Sequence, residues 1–359
     1  MFLAWIFEKM IQRILFGSPG TGKSHKVDRE IIPLELGIDR AKTPENIIKT
    51  VFHPEYTYGD FMGKLVPMTT RTGKVDYSYY EGHFLRALAQ AYKNLIIVHD
   101  KQGNRIAKEA DNVVLVIDEI NRGNSSAIFG SIFQLLDRND DGWSSYEINV
   151  NQIDFLKLLS LIGTNFSYDS RGDIDEYKLK PHDGVKRLET LQEKIVFLNF
   201  DLVNRTIKIP PNLSIIATMN TSDSSIYYMD SAFKRRWDWE FIDVDGKSVK
   251  AEGVAFRNRT EWEGFVRKLN IFIKRNHKYI RGIEDKQVGH WFIKGDQIAN
   301  STLQNKLMFF VWDNVFSRDK KPLIELMFKK DTKEHEQLIT FGDFARQIDL
   351  FIKKVNEVS

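Results

Sequence analysis

Five short segments with three or more apolar residues each recur along the chain, near residues 13–16, 48–53, 112–117, 213–219 and 238–243, and the apolar runs are longest in the third and fourth. Between them, apolar positions follow a helical spacing or give way to polar residues. Continuous β-branched and aliphatic runs of this kind are typical of strands that are buried on both faces. Because the runs alternate with helical stretches, the pattern predicts an α/β fold with a parallel sheet that helices cover on both faces.

The pattern becomes purely helical in the last part of the chain, and the change falls near residues 244–258. Two segments there place apolar side chains at helical spacing, which predicts buried helix faces. These side chains are Trp262, Phe265, Val266, Leu269, Phe272 and Ile273, and then Phe341, Phe344, Ile348, Phe351 and Val355. We expect an α/β domain over residues 1–245, with inserts near 56–82 and 143–210, and a helical domain over 246–359.

A glycine-rich loop, Gly-Ser-Pro-Gly-Thr-Gly-Lys-Ser at residues 17–24, stands between the first apolar run and a segment predicted to be helical up to Pro33. It has the G-x-x-x-x-G-K-[ST] spacing of a phosphate-binding loop, in which glycines let the backbone turn its amide hydrogens inward. We expect Lys23 to contact the β- and γ-phosphates and Ser24 to bind Mg²⁺, with the helix dipole adding to both. The predicted nucleoside triphosphate site comprises Gly17, Ser18, Pro19, Gly20, Thr21, Gly22, Lys23, Ser24 and His25.

Two carboxylates, Asp118 and Glu119, end the third apolar run. Charged groups beside a buried strand are costly unless a cation or a substrate proton meets them. We therefore expect Asp118 to hold Mg²⁺, directly or through water, and Glu119 to polarise a water molecule for attack on the γ-phosphate. Two acidic residues in series favour hydrolysis over transfer to a second substrate.

A third polar element, Asn220, ends the fourth apolar run. Its amide is placed to hold the attacking water opposite Glu119. A basic segment containing Arg235 and Arg236 follows about a dozen residues later. Basic runs usually form solvated surfaces, but this position favours an arginine offered to the γ-phosphate of a neighbouring subunit.

Taken in order, the phosphate loop, the Asp-Glu strand, the Asn-tipped strand and the arginine pair resemble those of an AAA+ nucleotidase. More narrowly, Ile-Asp-Glu-Ile-Asn-Arg-Gly-Asn at 117–124 and Met-Asn-Thr-Ser-Asp at 219–223 resemble McrB, the GTPase subunit of modification-dependent restriction systems. Residues 52–61 and 287–292 are similar to two further segments of that family. The resemblance covers roughly residues 10–320.

This resemblance implies an AAA+ P-loop domain with a C-terminal α-helical lid, and an NTPase that uses Mg²⁺ and takes GTP, or ATP, as substrate. It implies that Asn220 and Asp223 orient the hydrolytic water and link the site to a partner. It also implies that Arg235 and Arg236 act in trans or sense the nucleotide. The expected assembly is a homo-oligomeric ring, a hexamer in AAA+ proteins, that powers a separate McrC-like endonuclease subunit in DNA restriction.

Three features depart from the family pattern. Ser224 stands where the family often has an arginine, which puts a role for that arginine in doubt. The 143–210 insertion stands where family members have a hairpin. By analogy with AAA+ rings this position faces the central pore, and a solvent-exposed loop without a function is an equally good interpretation. The phosphate loop begins only sixteen residues into the chain, so we expect DNA to be met mainly through a partner or through a missing reader domain.

Two alternative functions stay open beside the McrB-like one. The first is a MoxR-like AAA+ ATPase that remodels protein complexes, and the second is a nucleotide-bound scaffold with little turnover. The intact Lys23, Asp118, Glu119 and Asn220 argue against the scaffold. The sequence of residues 117–124 favours the McrB-like function. The chain has no Asn-Lys-x-Asp motif, with which small GTPases recognise guanine, so the GTP preference rests on resemblance alone.

Composition narrows the classes of partner. The chain has 52 basic and 49 acidic residues, which does not suggest a broad nucleic-acid surface. It has no cysteine, which excludes disulfides and cysteine-ligated metals. The apolar stretch within residues 1–10 is too short to span a bilayer and has no basic leader, so we expect no membrane association and a cytoplasmic location.

Overall fold

The structure is a computed structural model that describes residues 10–100, 103–106, 109–179, 184–220, 227, 229–249, 251–328 and 338–359. Its strands are β1 (Gln12–Gly17), β2 (Ile47–Val51), β3 (Gly63–Thr69), β4 (Val75–Glu81), β5 (Val113–Asp118), β6 (Ile148–Asn149), β7 (Thr164–Tyr168), β8 (Ile174–Leu179), β9 (Thr206–Ile207), β10 (Leu213–Asn220), β11 (Asp238–Phe241), β12 (Val254–Phe256) and β13 (Ile298–Ala299).

The α-helices are α1 (Lys23–Lys26), α2 (Tyr58–Phe61), α3 (His83–Ile97), α4 (Ser125–Phe129), α5 (Gln152–Leu161), α6 (Leu188–Lys194), α7 (Ser231–Lys234), α8 (Arg259–Arg275), α9 (Asn300–Thr302), α10 (Lys321–Met327), α11 (Phe341–Ala345) and α12 (Ile348–Asn356). Wider π turns continue α1 through Val27–Glu35 and α9 through Leu303–Met308 and Val311–Val315. None of the described helices combines the length and the apolar character that a bilayer-spanning helix requires.

A central sheet with the strand order β11-β1-β10-β5-β2 carries the fold. Its pairs β1–β11, β5–β10 and β2–β5 are parallel. The five predicted strands are confirmed, each within two residues at either end. Their buried side chains explain why, since every residue of β5 from Val113 to Ile117 is buried. The predicted α/β class with a parallel sheet is therefore confirmed.

The described residues pack into two compact units. The first is drawn from Met1–Gln12, Ser24–Met219 and Asp223–Met229, and the second from Arg13–Lys23, Asn220–Ser222 and Asp230–Ser359. In the first unit, β2 and β10 flank β5, and Ile11 exchanges hydrogen bonds with β10 through the Ser214 hydroxyl and the Ile215 amide. The end of β5 thus lies in the middle of that unit's strands.

The second unit holds β1 beside β11 together with the C-terminal helices. The ring of Phe16 packs against those of Trp239, Phe241, Phe309 and Phe341. The predicted helix faces are confirmed, because all the apolar side chains listed for 262–273 and 341–355 are buried. The strand that leads into the phosphate loop therefore rests on an aromatic core.

Both predicted inserts contain regular structure, and within the first unit they contact each other. Strands β3 and β4 form an antiparallel hairpin, and β7 and β8 form another. The Tyr79 hydroxyl of β4 donates to Asp154 Oδ1 of α5 at 2.6 Å, and Lys157 pairs with Glu81 at 2.7 Å. Burial of the Tyr79 hydroxyl, together with the Asp154 carboxylate, raises its pKa.

Helix α1 does not end at Pro33 as the sequence predicts. It continues to Glu35, and the amide of Leu36 donates to the carbonyl of Ile31. Proline lacks the amide hydrogen that an α-helix uses at that position. The wider π turns place Pro33 inside the helix, so the prediction of a break there is wrong.

Candidate functional site

The phosphate loop follows β1 directly and depends on glycine at three positions. Gly17 is buried, and a Cβ atom there would overlap the carbonyl oxygen of Ile242. Gly20 and Gly22 have φ values of 80° and 82°, in the left-handed region that side chains other than glycine rarely adopt. The glycine spacing of the sequence therefore corresponds to the backbone conformation of this loop.

Lys23, at the end of the loop, is only 7% exposed. Its Nζ donates to the carbonyl oxygens of Gly17 at 3.2 Å and Ser18 at 2.8 Å. The Thr21 hydroxyl donates to the same Ser18 carbonyl at 3.0 Å. These contacts hold the ammonium inside the curve of the loop. Other predicted members are solvent-exposed: Ser18, Pro19, Gly20, Gly22, Ser24 and His25.

Asp118, the last residue of β5, is the meeting point of two hydroxyl groups. The Ser24 hydroxyl donates to Asp118 Oδ1 at 3.0 Å, and the Thr218 hydroxyl donates to the same oxygen at 2.8 Å. Ser24 and Asp118, which the sequence predicts as metal ligands, therefore lie side by side. Both offer oxygen atoms, which Mg²⁺ prefers, and Mg²⁺ usually completes its shell with water and substrate phosphates.

The donor set at Asp118 fits a metal of this kind better than a metal bound by protein side chains alone. Within the described ranges, no group of three or more His, Cys, Asp or Glu side chains could hold a metal ion. Ser24 and Asp118 supply two oxygen atoms side by side. They match a cation whose remaining ligands come with a bound nucleotide.

Glu119 follows Asp118 in a left-handed backbone conformation, with φ 55° and ψ 48°. A non-glycine residue in this region is uncommon and costs conformational energy. Its amide donates to Thr218 Oγ1 at 3.3 Å, and the 3₁₀ turn Ile120–Arg122 starts immediately after it. The turn directs the chain away from the sheet at the residue that is predicted to activate water.

Thr218 is the residue of this group that the sequence analysis missed. A threonine within an apolar run is read as one of its β-branched strand residues. The available signal was that a hydroxyl in a buried strand needs a hydrogen-bond partner, and that Thr218 comes two residues before Asn220.

The remaining predicted residues follow β10. Asn220 ends that strand and is half-buried, whereas Asp223 lies outside the described residues. Arg235 is exposed. Arg236 is half-buried, and its Nη1 donates to the carbonyl oxygen of Ala232 at 2.7 Å. The structure thus gives the two arginines different surroundings.

The two further segments of the resemblance, 52–61 and 287–292, take local structural positions. The Tyr56 hydroxyl lies 2.8 Å from His83 Nδ1 and donates to the Asp60 carbonyl at 3.1 Å. Burial lowers the pKa of His83. In the second segment, the backbone carbonyl of His290 accepts a hydrogen bond from Trp262 Nε1 at 2.7 Å, while the imidazole is exposed.

Comparison with known proteins places this geometry in context. A family model described as AAA domain (dynein-related subfamily) matches residues 12–237. The chain is 28% identical over 339 residues to the type II restriction enzyme BsuMI component YdiS of Bacillus subtilis (strain 168), covering 88% of this chain and 81% of that protein. It is 24% identical over 234 residues to the type IV methyl-directed restriction enzyme EcoKMcrB subunit of Escherichia coli (strain K12), covering 65% of this chain and 35% of that protein.

Proposed function

Because the chain belongs to the AAA domain family, in its dynein-related subfamily, we propose that this nucleoside triphosphatase is a McrB-like AAA+ enzyme that hydrolyses GTP. The observation that carries nucleotide hydrolysis is the 3.0 Å contact between the Ser24 hydroxyl and Asp118 Oδ1, whereas the choice of GTP rests on the resemblance to McrB. This contact joins the residue after the phosphate-loop lysine to the acidic end of β5. Similarity to a type II restriction enzyme component and to a type IV restriction enzyme subunit supports the restriction role.

The proposed roles follow the chemistry of each side chain. The loop amides and the Lys23 ammonium bind the phosphates, and Lys23 exchanges its present carbonyl partners for phosphate oxygens. Ser24 and Asp118 hold Mg²⁺, which neutralises negative charge on the phosphates when it is bound. Glu119 polarises the attacking water, while Asn220 and Asp223 orient it.

We further propose a homo-oligomeric ring, a hexamer, in which Arg235 and Arg236 act on the nucleotide of a neighbouring subunit. In this assembly, residues 1–245 form the nucleotide-binding domain and residues 246–359 the helical lid. An McrC-like endonuclease subunit is the partner, and we assign DNA cleavage and most of the contact with DNA to it. The similarity to a methyl-directed restriction enzyme subunit supports this assignment.

The test of the enzymatic proposal is hydrolysis of GTP and ATP, measured in parallel with Mg²⁺ and with EDTA. We expect Mg²⁺-dependent turnover that is faster with GTP, and we expect Lys23→Ala to abolish nucleotide binding because the loop loses its cation. Turnover of ATP alone would instead support a MoxR-like ATPase. Tight binding without turnover, even with the partner present, would support a scaffold.

The partner is tested separately. The chain is co-expressed with an McrC-like endonuclease subunit, and the GTPase rate and nuclease activity of the co-purified complex are measured. We expect the partner to raise the GTPase rate and DNA cleavage to require GTP hydrolysis. A nuclease that cleaves equally well with the Glu119→Gln variant would contradict the proposal that hydrolysis powers it.

A further inference from the structure

Thr218 occupies the position where the pairing of β5 with β10 ends. The parallel register of the two strands runs as far as Ala217 opposite Ile117. Beyond this pair lie Thr218 on β10 and Asp118 on β5. Thr218 is 2% exposed, so its hydroxyl has no access to bulk water and needs partners within the protein.

The direction of its hydrogen bonds follows from the chemistry of the three groups. An ionised carboxylate can only accept, so the Thr218 hydroxyl donates its hydrogen to Asp118 Oδ1 at 2.8 Å. A backbone amide can only donate, so the Glu119 amide donates to the Thr218 oxygen at 3.3 Å. One hydroxyl thus connects the side chain of one carboxylate residue to the backbone of the next.

We propose that Thr218 is a positioning residue for nucleotide hydrolysis, which fixes Asp118 and Glu119 relative to each other. Its bond to Oδ1 holds the Asp118 carboxylate next to the Ser24 hydroxyl. Its oxygen accepts a hydrogen bond from the backbone amide of the left-handed residue Glu119, and this amide has left the strand register. Without the hydroxyl, both carboxylates gain freedom at the point where the chain turns out of the sheet.

This inference rests on the proposed function, since it assigns Thr218 to the same site. Thr218→Val is the informative variant, because it keeps the β-branched shape of the buried side chain and replaces the hydroxyl with a methyl group. Thr218→Ser is the matched control, because it keeps the hydroxyl and removes only a methyl group. A purely structural role would make both variants less stable without separating them in catalysis.

The kinetic readout is the GTPase rate as a function of GTP and of Mg²⁺. Removing a side chain that orients a metal ligand typically costs about 10- to 100-fold in activity or metal affinity. We expect Thr218→Val to lower kcat by about that factor and to raise the Mg²⁺ concentration needed for half-maximal rate. KM for GTP should change little, because Lys23 and the loop amides are untouched. Thr218→Ser should stay close to the parent in all three quantities.

A second readout uses the protein without nucleotide or metal. The Glu119 amide is protected from exchange with solvent by its bond to Thr218. Hydrogen-exchange mass spectrometry should show faster exchange in a peptide spanning residues 117–122 for Thr218→Val than for the parent and Thr218→Ser. The thermal unfolding midpoint identifies any variant that has lost its fold.

The outcomes separate the two proposals. A folded Thr218→Val variant with the parent's kcat, Mg²⁺ dependence and exchange rate would overturn the role of Thr218 and leave the proposed function intact. Equal losses in Thr218→Val and Thr218→Ser would also overturn it, since packing rather than the hydroxyl would then matter. A parent protein that hydrolyses neither GTP nor ATP would overturn the proposed function, and this inference with it.

Discussion

The two acidic residues at the end of β5, Asp118 and Glu119, are held by different kinds of hydrogen bond. Asp118 accepts hydrogen bonds on its side chain from two hydroxyls, whereas Thr218 bonds Glu119 through the backbone amide. The proposed metal ligand Asp118 is therefore fixed through its carboxylate oxygen. For Glu119, which we propose activates water, the left-handed backbone sets the direction in which the carboxylate leaves the chain.

This difference leads to a prediction for two conservative variants. Glu119→Gln keeps the shape of the side chain but removes the charge that polarises water, so GTP and Mg²⁺ should stay bound while kcat falls by about 10²–10⁴. Asp118→Asn should instead weaken Mg²⁺ binding. Binding of a fluorescent GTP analogue and single-turnover hydrolysis distinguish the two effects. If Glu119→Gln hydrolyses GTP at the parent rate, Glu119 does not activate the water.

Gly17 gives a second prediction at this scale, because a Cβ atom there would overlap the Ile242 carbonyl. Gly17→Ala should lower the free energy of unfolding by roughly 1–3 kcal/mol. The matched control is Gly264→Ala in helix α8, where the added methyl meets no atom and helix propensity improves. That variant should gain up to about 1 kcal/mol. Thermal unfolding of both variants measures the difference, and equal midpoints would contradict the steric argument.

At the scale of elements, a half-buried cation, Lys320, lies at the end of α9. Lys320 Nζ donates to the carbonyl oxygens of Trp312 at 2.6 Å and Phe316 at 2.7 Å, and it lies 4.5 Å from the centre of the Trp312 ring. Such a cation satisfies carbonyl groups that the last helical turn leaves without partners. Burial nevertheless lowers the pKa of Lys320 from its ordinary value near 10.5 to about 8.

This pKa predicts how stability depends on pH. Between pH 8 and 10.5 the unfolded chain binds more protons at Lys320 than the folded chain does, so stability rises as pH rises through this window. Lys320→Met removes the titrating group, and the difference in Tm between the parent and this variant isolates it. We expect that difference, parent minus variant, to grow by roughly 2 °C between pH 7 and 9.5. A difference that is constant or falls with pH would contradict the prediction.

Local sequence patterns were enough for most of these elements. The strands could be predicted because buried parallel strands need continuous apolar runs, as in residues 113–117. The phosphate loop could be predicted because its glycines are fixed by backbone geometry that no other residue adopts easily.

Other features depend on tertiary contacts and could not be predicted. The 143–210 insertion has a polar middle, yet α5 is held in place by the Tyr79–Asp154 hydrogen bond between residues far apart in sequence. Helix α1 passes Pro33 in wider π turns, which periodicity does not reveal. Thr218 was missed because its partners lie at the end of another strand, where Asp118 is the last residue of β5 and Glu119 follows it.

At the scale of the whole molecule, the two arginines proposed to act between subunits are not equivalent. Arg235 is exposed, whereas Arg236 is half-buried and donates to the carbonyl of Ala232 in its own chain. An exposed guanidinium is free to reach a neighbouring subunit. A guanidinium bonded to its own backbone also contributes to local structure.

The corresponding prediction uses mixed rings. An arginine that acts in trans is worth about 10³–10⁵ in rate, so Arg235→Ala should lose most turnover while keeping the parent's Tm. Arg236→Ala should lower Tm as well. Mixing Arg235→Ala with Lys23→Ala should restore part of the hydrolysis, since some interfaces then pair an intact loop with an intact arginine. Mixed assembly is verified by native mass spectrometry, and a mixture without activity would mean that Arg235 acts within its own subunit.

The packing of Phe16 has a consequence for how the protein is made. Its ring lies 4.5 Å from that of Phe309 and 5.3 Å from that of Phe341, measured between ring centres. A chain leaves the ribosome with its N-terminal part first, and contacts between distant residues form slowly. Strand β1 can therefore gain the Phe309 contact only after residue 309 has been synthesised, and the Phe341 contact only after residue 341. The phosphate loop is translated long before Phe309 and Phe341, so the strand that leads into it acquires its complete support late.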